Sequence, residues 1–211
     1  MTDRTVSTPI APPVVRRLKR AVGLAAVCGA LSLGLSGCIG AVVGAGATMG
    51  TAAMEERGVK GAAKDTAIRA DINGLWSAKD ERMWRKVGLQ VYGGRVLLTG
   101  TIDTPQMRDE AVRLAWQADG VKEVINEIQL TESTAGDFAR DTWISTQLKS
   151  KLLFDSKVAS INYSIETANG IIYLIGIAQS QEELDRVTNH ARSIDYVKKV
   201  VSYVKIKPQD S

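Results

Sequence analysis

Histidine and cysteine are nearly missing from these 211 residues: His190 is the one histidine, and Cys28 and Cys38 are the two cysteines. With no second histidine and no thiol to join it, His190 reads as structural or solvated, and no metal site or cofactor is expected. A basic domain is also lacking. Five of the 27 Lys and Arg (Arg4, Arg16, Arg17, Lys19, Arg20) and one of the 23 Asp and Glu (Asp3) fall within residues 1–37, which leaves 22 of each sign from Cys38 onward. The formal charge of +4 thus belongs to the leader. Nothing basic remains to neutralise phosphates, and a nucleic-acid partner is not expected. Long apolar runs are absent too: Ala21–Leu35 is fifteen residues, short of the roughly 20 that a spanning helix needs. What is present is ordinary globular composition, 45% hydrophobic and 24% charged, which excludes wholesale disorder.

The leader "VVRRLKRAVGLAAVCGALSLGLSGC" joins a basic cluster to an apolar run and then to small residues. That order predicts a secretory signal peptide over residues 1–37. Its end, Leu35-Ser36-Gly37-Cys38, resembles the lipobox of bacterial lipoproteins; an ordinary cleavable signal or a short anchor is the alternative. The resemblance implies that Cys38 is lipidated and becomes the mature N-terminus. Ile39, standing where an inner-membrane protein would carry aspartate, implies the outer membrane. Cys28 would be discarded, and the mature chain would have neither free thiol nor disulfide. Residues 38–64 read as the lipidated cysteine and a glycine-rich tether, with a membrane-surface segment as the second reading. A flexible 39–64 would span about 28 Å.

Beyond residue 64 the sequence repeats itself at an offset of 76 without a gap. Asp65-Thr66-x-Ile68 matches Asp141-Thr142-x-Ile144, Gly94 matches Gly170, Gly100 matches Gly176, and Asp119, Val121 and Val124 match Asp195, Val197 and Val200. Periodicity predicts one element order for both copies. A helix comes first, with Ile144, Leu148 and Leu152 as its stripe and Asp141 as N-cap. A hairpin follows, turning at Gly93-Gly94 or Asn169-Gly170. The second helix is capped by Thr104 before Pro105, or by a capping box of Ser180 and Glu183, and a closing strand alternates through Val200, Ser202, Val204 and Ile206. Each copy is therefore αββαβ, an α+β unit with a small three-stranded sheet packed on two helices, over residues 65–130 and 137–207 with a linker at 131–136. Units of this size are marginal alone, so the copies are expected to dock.

The helix before the hairpin, the strand-terminal Gly100 and Gly176, and the Asp-Gly-Val-x-x-Val of Asp119–Val124 resemble the BON domain of bacterial envelope proteins. Tyr196 departs from that motif by replacing glycine, which predicts an altered turn. With the lipobox and tether, the whole chain resembles the dual-BON outer-membrane lipoproteins. That resemblance implies a non-enzymatic, lipid-anchored protein facing the periplasm, whose second domain binds anionic phospholipid and supports envelope integrity; envelope proteins are possible partners.

Trp143 gives this reading a location. On the first helix of copy two it shares a face with Arg140, Gln147 and Lys151, while Lys149 stands on the opposite shoulder; copy one has Lys64, Ala67, Asp71 and Leu75 in the corresponding row. Copy two gains an aromatic between cations and loses an acid. That pairing suits the boundary between acyl chains and anionic headgroups. Packing of Trp143 against the first domain is the competing expectation. Trp76, Trp84 and Trp116 have no such ring of cations and are read as packing residues. The adjacent acids Asp80-Glu81, Asp109-Glu110 and Glu182-Glu183 point apart on a helix and do not read as an acid–base pair. Gly93-Gly94 and "GAGATMG" lack the context of phosphate loops. A periplasmic protein-interaction or osmotic-stress chaperone module is the alternative function.

Overall fold

A computed structural model describes residues 54–208; the leader, Cys38 and the stretch to residue 53 lie outside the described residues. The first copy runs α1 (Gly58–Lys79), α2 (Glu81–Lys86), β1 (Val87–Tyr92), β2 (Arg95–Ile102), α3 (Pro105–Ala115), β3 (Glu123–Asn126) and β4 (Gln129–Leu130). The second runs α4 (Ala135–Phe154), β5 (Tyr163–Ala168), β6 (Ile171–Ala178), α5 (Gln181–Arg192) and β7 (Lys199–Ile206). In each copy the hairpin is antiparallel and the strand after the crossover helix pairs parallel to the hairpin's second strand. Both turns carry positive φ at both central residues, 63° and 80° at Gly93-Gly94 and 54° and 77° at Asn169-Gly170, as a type I′ turn requires. Gly100 and Gly176 earn their place by close approach: a Cβ there would sit 2.2 Å from the Lys86 carbonyl oxygen and 2.0 Å from that of Asn162.

The helices cover one face of each sheet. Ile68, Ile72 and Trp76 of α1 meet Ala111 and Leu114 of α3 over Val96 and Leu98. Ile144, Leu148 and Leu152 of α4 meet Val187 and Ala191 of α5 over Ile172 and Leu174. The other faces pack on each other, joining Tyr92, Leu97 and Ile125 to Ala168, Tyr173 and Ile175. The body is thus layered helix, sheet, sheet, helix. The docking is pseudo-symmetric, because residues 76 apart meet across it: Gln90 Nε2 donates to Glu166 Oε2 at 2.8 Å, and the Tyr203 hydroxyl donates to Glu127. Such self-complementary contact is what an isologous pair of identical units would make.

Several local expectations are corrected. The Asp141 side chain is not an N-cap. Helix α4 starts at Ala135, five residues after β4 ends at Leu130, and is capped by Thr134 with Asp137 in a reciprocal capping box, so its first turn reaches into the expected linker 131–136. Asp141 instead reaches across to the hairpin and accepts from the Asn169 and Gly170 amides at 2.6 and 2.8 Å. Asp65 does the same for Gly93 and Gly94 at 2.7 and 2.8 Å. Thr104 sits at the N-cap position of α3 without a side-chain bond. Ser180 caps Glu183, but the Glu183 carboxylate is buried and accepts from the Ala159 and Gln179 amides rather than closing a box. The first sheet gains a fourth strand: Glu127 and Ile128 interrupt the closing strand, the Asn126 side chain takes the Ile128 amide at 3.1 Å, and β4 resumes the pairing. In β7 the simple alternation fails because both faces are covered, Val200 and Val204 by the helices and Val201 and Tyr203 by the first domain.

The tether ends earlier than residue 64. Gly58–Lys64 is the first two turns of α1, because Arg57 before it is held by Glu55 and by Asp65 at 2.7 Å, with its guanidinium 4.7 Å from the Tyr92 ring. Glu56 fastens the same segment to the second domain: its amide donates to Asn162 Oδ1 at 3.0 Å, and its carboxylate accepts from Lys207 at 3.0 Å and Gln179 at 3.1 Å. The Lys207 and Gln179 hydrogen bonds lower the Glu56 pKa below the ordinary carboxylate range. A depressed pKa stabilises above the unfolded value and loses that stabilisation as pH falls through the folded one. Amide protection at residues 55–57, taken relative to the intrinsic exchange rate at each pH, should therefore be high at neutral pH and fall on acidification below about pH 4, a fall already present at pH 7 in Glu56→Gln.

Candidate functional site: the outer face of the second domain's first helix

Helix α4 is anchored by three fully buried residues, Ile144, Leu148 and Leu152, which turns the opposite side outward. Trp143 stands on that outer side and is 42% exposed. Its ring meets Tyr196 edge-on, with centroids 6.1 Å apart and planes at 70°. The Arg140 guanidinium lies 5.6 Å from the Tyr196 ring and 3.3 Å from Asp137. Gln147 is half-buried one turn further on, and Lys149 and Lys151 are exposed with no ion pair among the described residues. Interdomain contact is made by the sheets, on the far side of the β5–β6–β7 layer, so Trp143 does not carry it.

Two features of this face were given no part in the site from the sequence. The first is Tyr196, which was expected to alter its turn. It keeps the turn instead, with φ at +66° where Gly120 has +86°. A non-glycine residue there costs about 1–2 kcal/mol, so the phenol is held outward, 68% exposed, at the expense of backbone comfort. Replacement of a motif glycine by an aromatic was the signal. The second is the C-terminal end of α4. Phe154 is eleven residues after Trp143, three turns along nearly the same face and about 16 Å away, and it is 84% exposed. Leu153 beside it and Ile161 across the following turn are exposed as well. Aromatic residues thus stand near the middle and at the C-terminal end of one helix face, with Arg140, Lys149 and Lys151 along its shoulders.

The remaining candidates resolve as structural groups. His190 Nε2 is 2.7 Å from Asp155, whose pKa is lowered first by that contact and then by the Lys157 amide. Asp80 is held down to about 2 by Arg82, and Glu110 to about 2 by Arg113. Trp76 is buried, its indole N–H donating to the Ala111 carbonyl at 3.0 Å. Trp84 and Trp116, read as packing residues, are instead about half exposed, 50% and 52%.

The architecture defines a class: two fused αββαβ units, each a crossover-linked sheet under two helices. The chain belongs to the BON-domain family, whose sequence model matches residues 64–132 and 140–208. It is 30% identical over 173 residues to the outer membrane lipoprotein DolP of Haemophilus influenzae, covering 81% of this chain and 89% of that one. It is 45% identical over 127 residues to an uncharacterized protein in the gshII 5′ region of Anaplasma centrale, covering 59% of this chain and 84% of that protein. To the osmotically-inducible protein Y of Escherichia coli it is 29% identical over 146 residues, covering 68% and 73%.

Proposed function

We propose that this protein is a non-enzymatic, lipid-anchored component of the outer membrane, facing the periplasm, whose second BON domain lays α4 against anionic phospholipid and so supports envelope integrity. The observation that carries the reading is the outward pair of Trp143 and Tyr196 with Arg140 beside it. The lipobox at Cys38 and the likeness to a lipoprotein support the anchor. Burial of an aromatic ring gives about 2–3 kcal/mol and each nearby cation about 1 kcal/mol, which is weak binding from free solution. Two acyl chains already suffice for anchorage. The helix therefore acts on a protein held close to the surface, where effective concentration is high, and chooses lipid type and domain orientation.

The test is co-sedimentation of the chain from residue 39, which has no Cys38 to acylate, with phosphatidylglycerol or phosphatidylcholine vesicles. Binding to the first that weakens with salt, and little to the second, is expected. Equal binding to both, or to neither, refutes the lipid reading. Palmitate incorporation should vanish in Cys38→Ala; a wild-type chain that takes up no palmitate would favour a soluble protein-interaction module resembling the osmotically-inducible relative.

A further inference from the structure

Glu56 sets the place from which the preceding chain departs. Its amide donates to Asn162 Oδ1 at 3.0 Å, and its carboxylate accepts from Gln179 and Lys207. Asn162 is buried and ends the one-turn helix Ser160–Asn162 that follows α4. Its chain neighbours Ile161 and Tyr163 line an apolar groove of about 280 Å³, together with Lys149, Leu152 and Leu153 of α4 and Ile165 of β5. Leu152, Tyr163 and Ile165 are buried and make the floor, while Leu153 and Ile161 are exposed at the rim. The clasp at Glu56 thus delivers the residues before it to the mouth of this groove.

We infer that this groove is the seat of the protein's own residues 39–53, which lie outside the described residues. Three observations select that occupant over a foreign one. The first is place: with Glu56 fastened to Asn162, the six residues 50–55 reach up to about 20 Å, which lets Met49 meet Ile161 beside the clasp. The second is chemistry. Residues 39–53 contain no Asp, Glu, Lys or Arg, and their larger side chains are the apolar Ile39, Val42, Val43 and Met49. The groove answers them, since its one charged lining residue, Lys149, is exposed and the rest of its lining is chiefly apolar. The third is tethering: apolar surface at Leu153 and Ile161 stands open beside a segment held at high effective concentration, so weak affinity suffices. Once Val42 and Val43 are seated, at most about 14 Å of chain separates Cys38 from the groove. The acylated end proposed above and the C-terminal end of α4 then stay together, which orients the second domain on the membrane. That consequence rests on the proposed anchor; the seating does not.

The experiment is amide-resolved NMR of the isotope-labelled chain from residue 39, with a nitroxide on Ala45→Cys, the sole cysteine of that chain. Without lipid, the label should broaden the amides of Lys149, Leu153, Ser160 and Ile161. Val42→Asp/Val43→Asp, whose changes lie before the first described residue and leave both domains intact, should weaken that broadening. A free leash of nine residues still ranges about 17 Å from Met54, so the relaxation enhancement should fall about threefold rather than vanish. Leu153→Ser/Ile161→Ser should have the same effect, with the remaining amide spectrum reporting an intact fold. Isotope-labelled chains without nitroxide, mixed with nitroxide chains of natural abundance, should show no broadening. Broadening in that mixture would give the groove to a second copy. Broadening that appears only with phosphatidylglycerol vesicles would give it to acyl chains, and equal enhancement in wild type and Val42→Asp/Val43→Asp would leave it without the segment. Each of these three results overturns the inference. The lipid-free result stands whether or not Trp143 meets a membrane.

Discussion

Trp143→Glu should weaken binding to phosphatidylglycerol vesicles by about two orders of magnitude while leaving the protein folded. The substitution removes a ring worth roughly 2 kcal/mol of apolar burial and sets a negative charge against an anionic surface, a further cost of about 1 kcal/mol. It disturbs little else, because Trp143 is 42% exposed and its ring contact is with Tyr196. The thermal midpoint should move by only a few degrees. Ala67→Glu, the same change at the matching position of the first domain, should bind as wild type does. Phe154→Ser should cost less, about tenfold, since that ring stands alone at the helix end. Tyr196→Gly separates function from stability most sharply. It relieves a left-handed tyrosine, so the domain should gain about 1 kcal/mol in urea unfolding, yet vesicle binding should fall. A Trp143→Glu protein that sediments with the vesicles as wild type does would remove α4 from the membrane.

The repeat, the element order and the hairpin turns were legible because each depends on neighbours in sequence: Asn169-Gly170 demands its turn wherever it stands, and Ile144, Leu148 and Leu152 demand a helix with one buried side. Asp141 was misread for a physical reason. An aspartate near a helix start satisfies amides in either of two places, the helix's own first turn or a distant hairpin, and both put the same letter in the same position. Only the fold distinguishes them, because only the fold brings Asn169 to within 2.6 Å. The outer sheet faces were hidden similarly. Tyr173 and Ile175 looked like part of a continuous apolar strand, and nothing local says that one side meets Leu97 of the other copy. Glu56 looked like tether because its partners, Asn162, Gln179 and Lys207, lie more than a hundred residues away. Helix geometry set Trp143 one step off the buried stripe but left open whether it faced outward or toward the first domain, and Tyr196 could not be set beside it, since that depends on a turn holding its glycine-like shape after the glycine is gone.

The largest loss of stability from a single polar residue should come from Asp65→Ala. Asp65 is buried, at 4% exposure, and its carboxylate takes three donors: the Gly93 amide at 2.7 Å, the Gly94 amide at 2.8 Å and the Arg57 guanidinium at 2.7 Å. Truncation strands two amides and takes from the half-buried Arg57 one of its two carboxylate partners, leaving it Glu55. A charge-assisted hydrogen bond contributes about 1.5–3 kcal/mol, and breaking a buried pair costs about 3–5 kcal/mol, so a loss of roughly 4 kcal/mol is expected after partial relaxation. That is a large share of a typical domain's stability of about 5–15 kcal/mol. Asp141→Ala supplies the internal comparison. It removes the same two turn bonds, to Asn169 and Gly170, but the position matching Arg57 is Ser133, so no cation loses a partner and the loss should be nearer 2 kcal/mol. Urea unfolding with unchanged slopes would measure both values. Because Tyr92 and Leu97 join the first domain to Tyr173 and Ile175 of the second, the Asp65→Ala protein should still unfold in one transition rather than shed its first domain separately. Equal losses in the two variants would mean that Arg57 adds nothing to the turn, and a loss under about 1 kcal/mol in Asp65→Ala would mean that water replaces the carboxylate.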